Sequence, residues 1–314
     1  MPRVFIIILT YNESAHTLEC LASLEKLTYE RFEVIVVDNK SIDDSRARIG
    51  AHIKTHHRIK TTHLLLDDNY GFAGGNNRGI KEALKRGADY VLILNPDTIV
   101  ESDFLTKLIG VARRYKSEGR IGFFGPRILL WDEGKYRHNF AKARIYSNGG
   151  FIHRTFTKAT LKDYETRVSE LEERDPFETD YVTGTFLLAP KEAIEKIGAM
   201  REDYFLYYED TDWSLRAKRA RIERVIVPQS IIWHKKSATT HEFSYTYIYY
   251  NTRNGFYFAW WNGNDWQKAS ALLLALVKLV KQPLKLLFPK KRSWVLPITK
   301  AILDFLWGET GKLS

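Results

Sequence analysis

The chain has 314 residues, 44% of them hydrophobic and 27% charged, with a formal net charge of +10. That length allows one large domain or two small ones with a real core, and its one cysteine, Cys20, excludes an intramolecular disulfide and any thiolate metal cluster. The charge is uneven: residues 268–314 hold nine Lys/Arg against two Asp/Glu, so a near-neutral body carries a basic tail suited to an anionic surface.

A single cysteine favours a reducing, cytoplasmic setting. Residues 4–9 (VFIIIL) are too short for a signal peptide. No run of 18 apolar residues occurs, so no membrane-spanning helix is expected.

The apolar, β-branched run 4–9 predicts a strand covered on both faces. Ser14 can cap a helix whose Leu18, Leu21, Leu24 and Leu27 fall three apart. Residues 33–37 and 63–66 predict the next strands. Residues 75–86 predict a helix with Ile80, Ala83 and Leu84 on one face and Gly87 as its stop. Residues 90–94 predict a fourth strand. This alternation implies a parallel sheet with helices on both faces.

Beyond residue 100 the spacing predicts a helix over 104–115 and strands over 121–124 and 181–189. A helix with Pro190 in its first turn follows, then two short apolar runs, 224–227 and 231–234, separated by Pro228. Residues 131–179 show no clean period and suit a lid or a partner-binding insertion. Nine aromatic residues crowd 245–261. Residues 271–288 predict a helix with Lys278, Lys281, Gln282 and Lys285 on one side and leucines on the others, kinked at Pro283.

Three of the first strands end in polar signals: Thr10-Tyr11-Asn12-Glu13, Asp38-Asn39 and Asn95-Pro96-Asp97. One such signal reads as a turn, since Pro cannot continue a central strand. Three on one sheet edge read as a site. The stretch NYGFAGGNNRG (69–79) lies between them. Gly71, Gly74 and Gly75 would let backbone amides approach a ligand, and a helix amino terminus after Gly75 would favour negative charge. The motif is not GxGxxG, which disfavours a dehydrogenase. In FLYYEDTDWSLR (205–216), Glu209, Asp210 and Asp212 place three carboxylates before a helix. Capping needs one of them; crowding would raise a pKa and improve a general base. His234 ends an apolar run and is either structural or a ligand.

Together the stretches VFIIILTYNES, EVIVVDNKSIDDS, NYGFAGGNNRGI, YVLILNPDTIV, YVTGTFLLAPKEAIEKIG and YFLYYEDTDWSLRAKRA resemble the family 2 glycosyltransferases, most closely the bacterial rhamnosyltransferase-like branch. The resemblance implies a GT-A fold: an α/β, Rossmann-like, mainly parallel sheet flanked by helices, here with a helical aromatic and basic C-terminal extension. It implies that Thr10, Tyr11 and Asn12 line the nucleotide pocket and that Asp38 bonds the pyrimidine base. Asn69, Gly75, Asn76 and Asn95 would lie by the nucleotide-sugar. Asn95-Pro96-Asp97 stands where the family has DxD; its first Asp is Asn here, leaving Asp97, with His234, to bind Mg²⁺ or Mn²⁺. Asp210, beside Glu209, matches the catalytic base of an inverting transfer.

The resemblance implies a dTDP- or UDP-sugar donor, with L-rhamnose from dTDP-rhamnose favoured, and a saccharide or lipid-linked saccharide acceptor in cell-surface polysaccharide assembly. A UDP-hexose or galactofuranose transferase and a non-catalytic nucleotide-sugar-binding module stay open. A nucleotidyltransferase would need a basic Gly-rich loop after the first strand, which LTYNES lacks. The expected division is 1–240 as catalytic domain (1–100 nucleotide half, 101–240 acceptor half with insertion 131–179) and 241–314 as extension. The tail has three readings: leucines packed on the core with solvated lysines, peripheral contact of 268–314 with the inner face of the cell membrane, or an oligomer contact. Nucleic acid is not expected as a partner, since no RNA or DNA motif interleaves the basic residues.

Overall fold

The computed structural model describes residues 1–172, 175–235 and 244–313. The first half alternates as expected: β1 (Val4–Thr10), α1 (Ser14–Leu24), β2 (Phe32–Asp38), α2 (Ser45–Thr55), β3 (Thr61–Leu65), α3 (Gly71–Lys85) and β4 (Tyr90–Leu94). Next come β5 (Thr98–Val100), α4 (Phe104–Ser117), β6 (Gly122–Leu130), β7 (Ile145–Ser147), β8 (Gly150–Ile152), β9 (Ala159–Leu161) and β10 (Phe177–Glu178). The chain continues through β11 (Phe186–Pro190), α5 (Lys191–Ile197), α6 (Glu209–Arg219) and β12 (Glu223–His234). Four α-helices follow among the described residues: α7 (Tyr245–Asn262), α8 (Asp265–Val280), α9 (Gln282–Lys285) and α10 (Val295–Trp307).

The main sheet runs β10-β12-β6-β11-β4-β1-β2-β3, with β5 added to β12 and β7 to β6. Strands β3, β2, β1 and β4 are parallel, and β11 is antiparallel to β4 and β6. In β1, Val4, Ile6 and Ile8 point to one core with Leu21, Leu24, Phe104 and Leu108. Phe5 and Ile7 point to the other, with Ile80, Ala83, Ile194 and Trp213. The period of two buries both faces, and each fully buried side chain of this size contributes about 1.5–3 kcal/mol relative to exposure. A third core joins Tyr204, Tyr208 and Leu215 to Phe256, Phe258, Ile302 and Phe305 of the extension.

Several expectations need correction. The helix expected from residue 75 begins at Gly71, whose φ of +70° only glycine adopts without strain. A Cβ at Gly75 would lie 2.3 Å from Leu9 Cδ1, and one at Gly79 would lie 2.6 Å from Ile7 Cγ2. These glycines seat α3 closely on β1. The strand expected over 181–189 is confined to Phe186–Pro190, because the backbone at 183–185 turns aside and the Phe186 amide donates to the Thr183 carbonyl. The strand expected over 121–124 extends through Pro126 to Leu130. The runs 224–227 and 231–234 are one strand, with a register shift between Val227 and Ile231 that absorbs Pro228. The insertion contains β7 to β10, of which β7 and β10 join the main sheet. The boundary expected at 240/241 lies outside the described residues.

The tail helix breaks as Pro283 requires: α8 ends at Val280 and α9 restarts at Gln282. Leu272, Leu274 and Leu279 pack, partly buried, against the third core, and Lys281 is exposed. Ala271, Ala275 and Gln282 are buried, and Lys278 lies 5.3 Å from the Phe256 ring, its pKa lowered chiefly by burial. Leu273, Leu276 and Val280 face outward. The small alanines let α8 approach the body on that side. No helix among the described residues is long and apolar enough to cross a membrane.

Candidate active site

The register of the sheet aligns its polar ends. Thr10 is level with Asp38, and Ile8 is level with Leu94, so the segments that follow β1, β2 and β4 share one edge. Asp38 is fully buried. Its Oδ1 accepts from the Ser41 amide and from Arg46 Nε, each at 2.8 Å. Its Oδ2 is buried with no hydrogen-bond partner. A buried carboxylate oxygen is costly to leave unpaired, so this one suits a ligand N–H.

Asn12, at φ +56°, ties the first loop to the second: its amide donates to Ser41 Oγ at 3.0 Å and its Oδ1 accepts from the Ile42 amide at 2.9 Å. Tyr11 beside it is half-buried. Thr10 Oγ1 accepts from Thr17 Oγ1 at 3.0 Å. Asn69 Oδ1 accepts from Asn39 Nδ2 and from the Gly71 amide at 2.9 and 3.0 Å, closing the glycine-rich loop onto the end of β2. Gly75 sits at the helix–sheet contact rather than at a loop tip. Asn76 is buried; its Nδ2 donates to the Phe72 carbonyl, and its Oδ1 has no hydrogen-bond partner.

Asp97 and His234 meet because β5 pairs antiparallel with β12, setting Thr98 opposite His234. His234 Nε2 is 3.3 Å from Asp97 Oδ1, and the Lys235 amide donates to the Asp97 carbonyl at 2.8 Å. Both side chains are buried. The Tyr146 ring lies over the imidazole, centroids 4.2 Å apart, and His234 Nδ1 has no hydrogen-bond partner. Among the described residues no three His, Cys, Asp or Glu side chains cluster to hold a metal alone. Two buried donors fit a cation whose remaining ligands are phosphate oxygens and water.

The acidic segment divides its labour. Asp212 is fully buried and structural: Arg216 Nε donates to its Oδ2 at 2.9 Å and Asn262 Nδ2 to its Oδ1 at 2.8 Å. Glu209 is buried, and burial, then the neighbouring Asp210 charge, push its carboxyl well above the usual range. Asp210 Oδ2 accepts from the Gly184 amide at 2.6 Å, and Oδ1 accepts from the Thr211 amide at 2.6 Å. Burial still raises its pKa against these lowering bonds. The cause is desolvation more than the crowding of like charges.

The loop before this segment is strained and held. Phe205, Tyr207 and Tyr208 all have positive φ, at +64°, +67° and +76°. Such residues cost on the order of 1–3 kcal/mol each and persist where their surroundings over-determine them. Asn254 of α7 supplies that determination. Its buried Nδ2 donates to the carbonyls of Tyr204, Leu206 and Tyr207 at 2.9, 2.8 and 3.0 Å. Arg253 Nη2 adds bonds to Tyr204 O and Gly311 O. Across the site, the Asn95 amide donates to Thr185 O at 3.0 Å, so residues 184 and 185 link the 95–97 turn to Asp210.

Sequence reasoning missed Gly184, Arg253 and Asn254. The signal for the last two was a polar pair inside an aromatic run, which costs energy unless it is fully bonded. Beside His234, whose strand partner is Leu130, a cavity of about 390 Å³ is lined by Trp131, Tyr136, Arg144 and Tyr164 among others.

The fold is of the GT-A type. The chain belongs to glycosyl transferase family 2, whose model matches residues 5–198. It is 25% identical over 233 residues to the dTDP-rhamnosyl transferase RfbF of Shigella flexneri, covering 74% of this chain and 69% of that one. It is 25% identical over 301 residues to an N-acetylglucosaminyl-diphospho-decaprenol L-rhamnosyltransferase of Mycobacterium tuberculosis, covering 89% and 94%. The mannosyltransferase PcManGT from Pyrobaculum calidifontis, solved with GDP-Man and Mn²⁺, has the same fold at 16% identity and a TM-score of 0.58, covering 98% of this chain and 88% of that one.

Proposed function

We propose that the chain is an inverting, metal-assisted transferase that moves L-rhamnose from dTDP-rhamnose to a hydroxyl of a saccharide or lipid-linked saccharide. The observation that carries this reading is the two-residue link from the 95–97 turn to Asp210. It joins the Asp97–His234 pair to a carboxyl whose pKa is raised. The rhamnose assignment is supported by the two relatives, both named for rhamnosyl transfer.

In this reading Asp38 Oδ2 accepts from the ring N–H of thymine, and Thr10, Tyr11 and Asn12 frame the nucleotide. Asn69, Gly75, Asn76 and Asn95 border the nucleotide-sugar. Asp97 and His234 would hold Mg²⁺ or Mn²⁺, which would offset the charge that develops on the leaving diphosphate. Asp210 takes the proton from the acceptor hydroxyl as its oxygen attacks the anomeric carbon, and direct displacement inverts that carbon. Glu209, kept toward its neutral form by burial, leaves Asp210 as the proton acceptor. The aromatic cavity beside His234 offers the acceptor sugar flat apolar faces.

We divide the chain into a nucleotide half (1–100), an acceptor half (101–240) and an extension (241–314) that braces the catalytic loop through Asn254. A lipid-linked acceptor would be met in the cytoplasm at the inner face of the membrane.

A thermal-shift panel of dTDP, UDP and GDP, with and without Mn²⁺, tests the reading. A ligand at 100 times its Kd stabilises by about 2.7 kcal/mol. A dTDP shift that grows with Mn²⁺ is expected; a GDP preference, or no shift with any nucleotide, contradicts it.

A further inference from the structure

The extension carries an apolar surface with no partner among the described residues. On α8, Leu273, Leu276, Val277 and Val280 are exposed at helical spacing i, i+3, i+4, i+7, which makes one stripe. The stripe continues past the break at Lys281 through Leu284, Leu286, Leu287 and Phe288, which are 50–72% exposed. Leu296, at the start of α10, is 73% exposed. Scattered exposed leucines are ordinary on a soluble protein, but a contiguous band of this extent marks an interaction site.

Charge identifies the occupant. Between Asp265 and Asp304 the chain carries eight Lys/Arg and no Asp or Glu. Lys281, Lys291 and Arg292 are exposed along the apolar band. A second copy meeting this face symmetrically would set those cations against their own equivalents. Anionic headgroups complement them, while acyl chains take the leucines. Lys281 keeps right-handed helical dihedrals between α8 and α9, so the stripe runs on from one to the other as an apolar lip.

We propose that the lip formed by α8, α9 and residues 286–296 seats the protein on an anionic lipid bilayer. The proposal deepens the reading of a lipid-linked acceptor and rests on that reading for its purpose. Helix α8 packs on α7, which carries Asn254, so the lip and the catalytic loop share one support.

The experiment is flotation of the full chain with phosphatidylcholine vesicles, with and without phosphatidylglycerol, beside a dTDP thermal shift on the same samples. Capture by the anionic vesicles, weakening with salt, is expected. Leu287→Glu with Phe288→Glu should lower it at least ~10-fold while leaving the dTDP shift unchanged, as both positions are exposed. Leu273→Glu with Leu276→Glu, farther back along α8, should repeat the result if the first pair misfolds. Lys281→Gln with Lys291→Gln and Arg292→Gln should remove the salt dependence. Failure to float with anionic vesicles overturns the proposal, as does undiminished flotation of both glutamate pairs. So does a dimer in solution that the glutamate variants dissociate, since the face would then belong to a second copy. A lost dTDP shift with flotation intact would instead count against the transferase reading alone.

Discussion

His234 Nε2 lies 3.3 Å from Asp97 Oδ1, an encounter made by the pairing of β5 with β12. His234 stands at the end of one strand and Asp97 just before another, and neither reads as a metal ligand without its partner. Their burial, with the Tyr146 ring packed at a tilt against the imidazole, fixes the geometry before any ligand arrives. His234→Ala should therefore weaken the Mn²⁺ enhancement of dTDP binding by at least ~10-fold while metal-free nucleotide binding changes little. Calorimetry with and without Mn²⁺ measures both; an unchanged enhancement removes His234 from the metal site.

Glu209 is a buried acid whose folded-state pKa is raised, so it favours folding below its unfolded pKa and this contribution is lost as pH rises through the folded value. Each pKa unit corresponds to about 1.4 kcal/mol. Glu209→Gln should raise Tm by a few degrees at pH 8 and leave it unchanged at pH 4. Calorimetric scans at the two pH values check the sign, and a Tm loss at pH 8 would mean that the carboxylate is needed in its charged form.

Asn254→Ala leaves the carbonyls of Tyr204, Leu206 and Tyr207 short of a donor and releases a loop with three positive-φ residues. We expect about 1–3 kcal/mol of lost stability and a fall in kcat of about 100-fold from misplacing Asp210. The pH profile of the residual activity should keep its shape, because Asn254 positions the base and does not titrate. A shifted profile would show that the environment of Asp210 itself had changed.

Gly75→Ala forces a methyl to within 2.3 Å of Leu9 Cδ1. Overpacking of this kind costs typically about 1–3 kcal/mol. Urea unfolding should show that loss; if stability holds, α3 slides on β1 more easily than the contact implies.

Most of the first hundred residues were legible because β1 and β4 are uninterrupted apolar runs and α1 and α3 keep their period, so local pattern and final layer agree. The edge carrying Thr10, Asp38 and Asp97 followed from that. What stayed hidden depended on contacts between distant segments. Pro228 looked like a break and is a bulge inside β12. The glycines of 71–79 suggested a ligand cradle, but nothing local in them showed that Gly71, Gly75 and Gly79 also make room for Phe205, Leu9 and Ile7. The leucines of α8 looked alike, but Leu272, Leu274 and Leu279 pack beside the buried Ala271 and Ala275 while Leu273 and Leu276 face outward. Asn254 shows its purpose only beside the strained carbonyls it bonds.

The central claim is that Asp210 is the base. Asp210→Asn keeps the shape of the side chain that Gly184 and Thr211 hold but cannot accept the proton. Turnover of dTDP-rhamnose by this variant should fall about 100- to 10,000-fold, with dTDP and Mn²⁺ binding unchanged by calorimetry. Turnover near the wild-type rate with binding intact would contradict the account and move the proton transfer to another group.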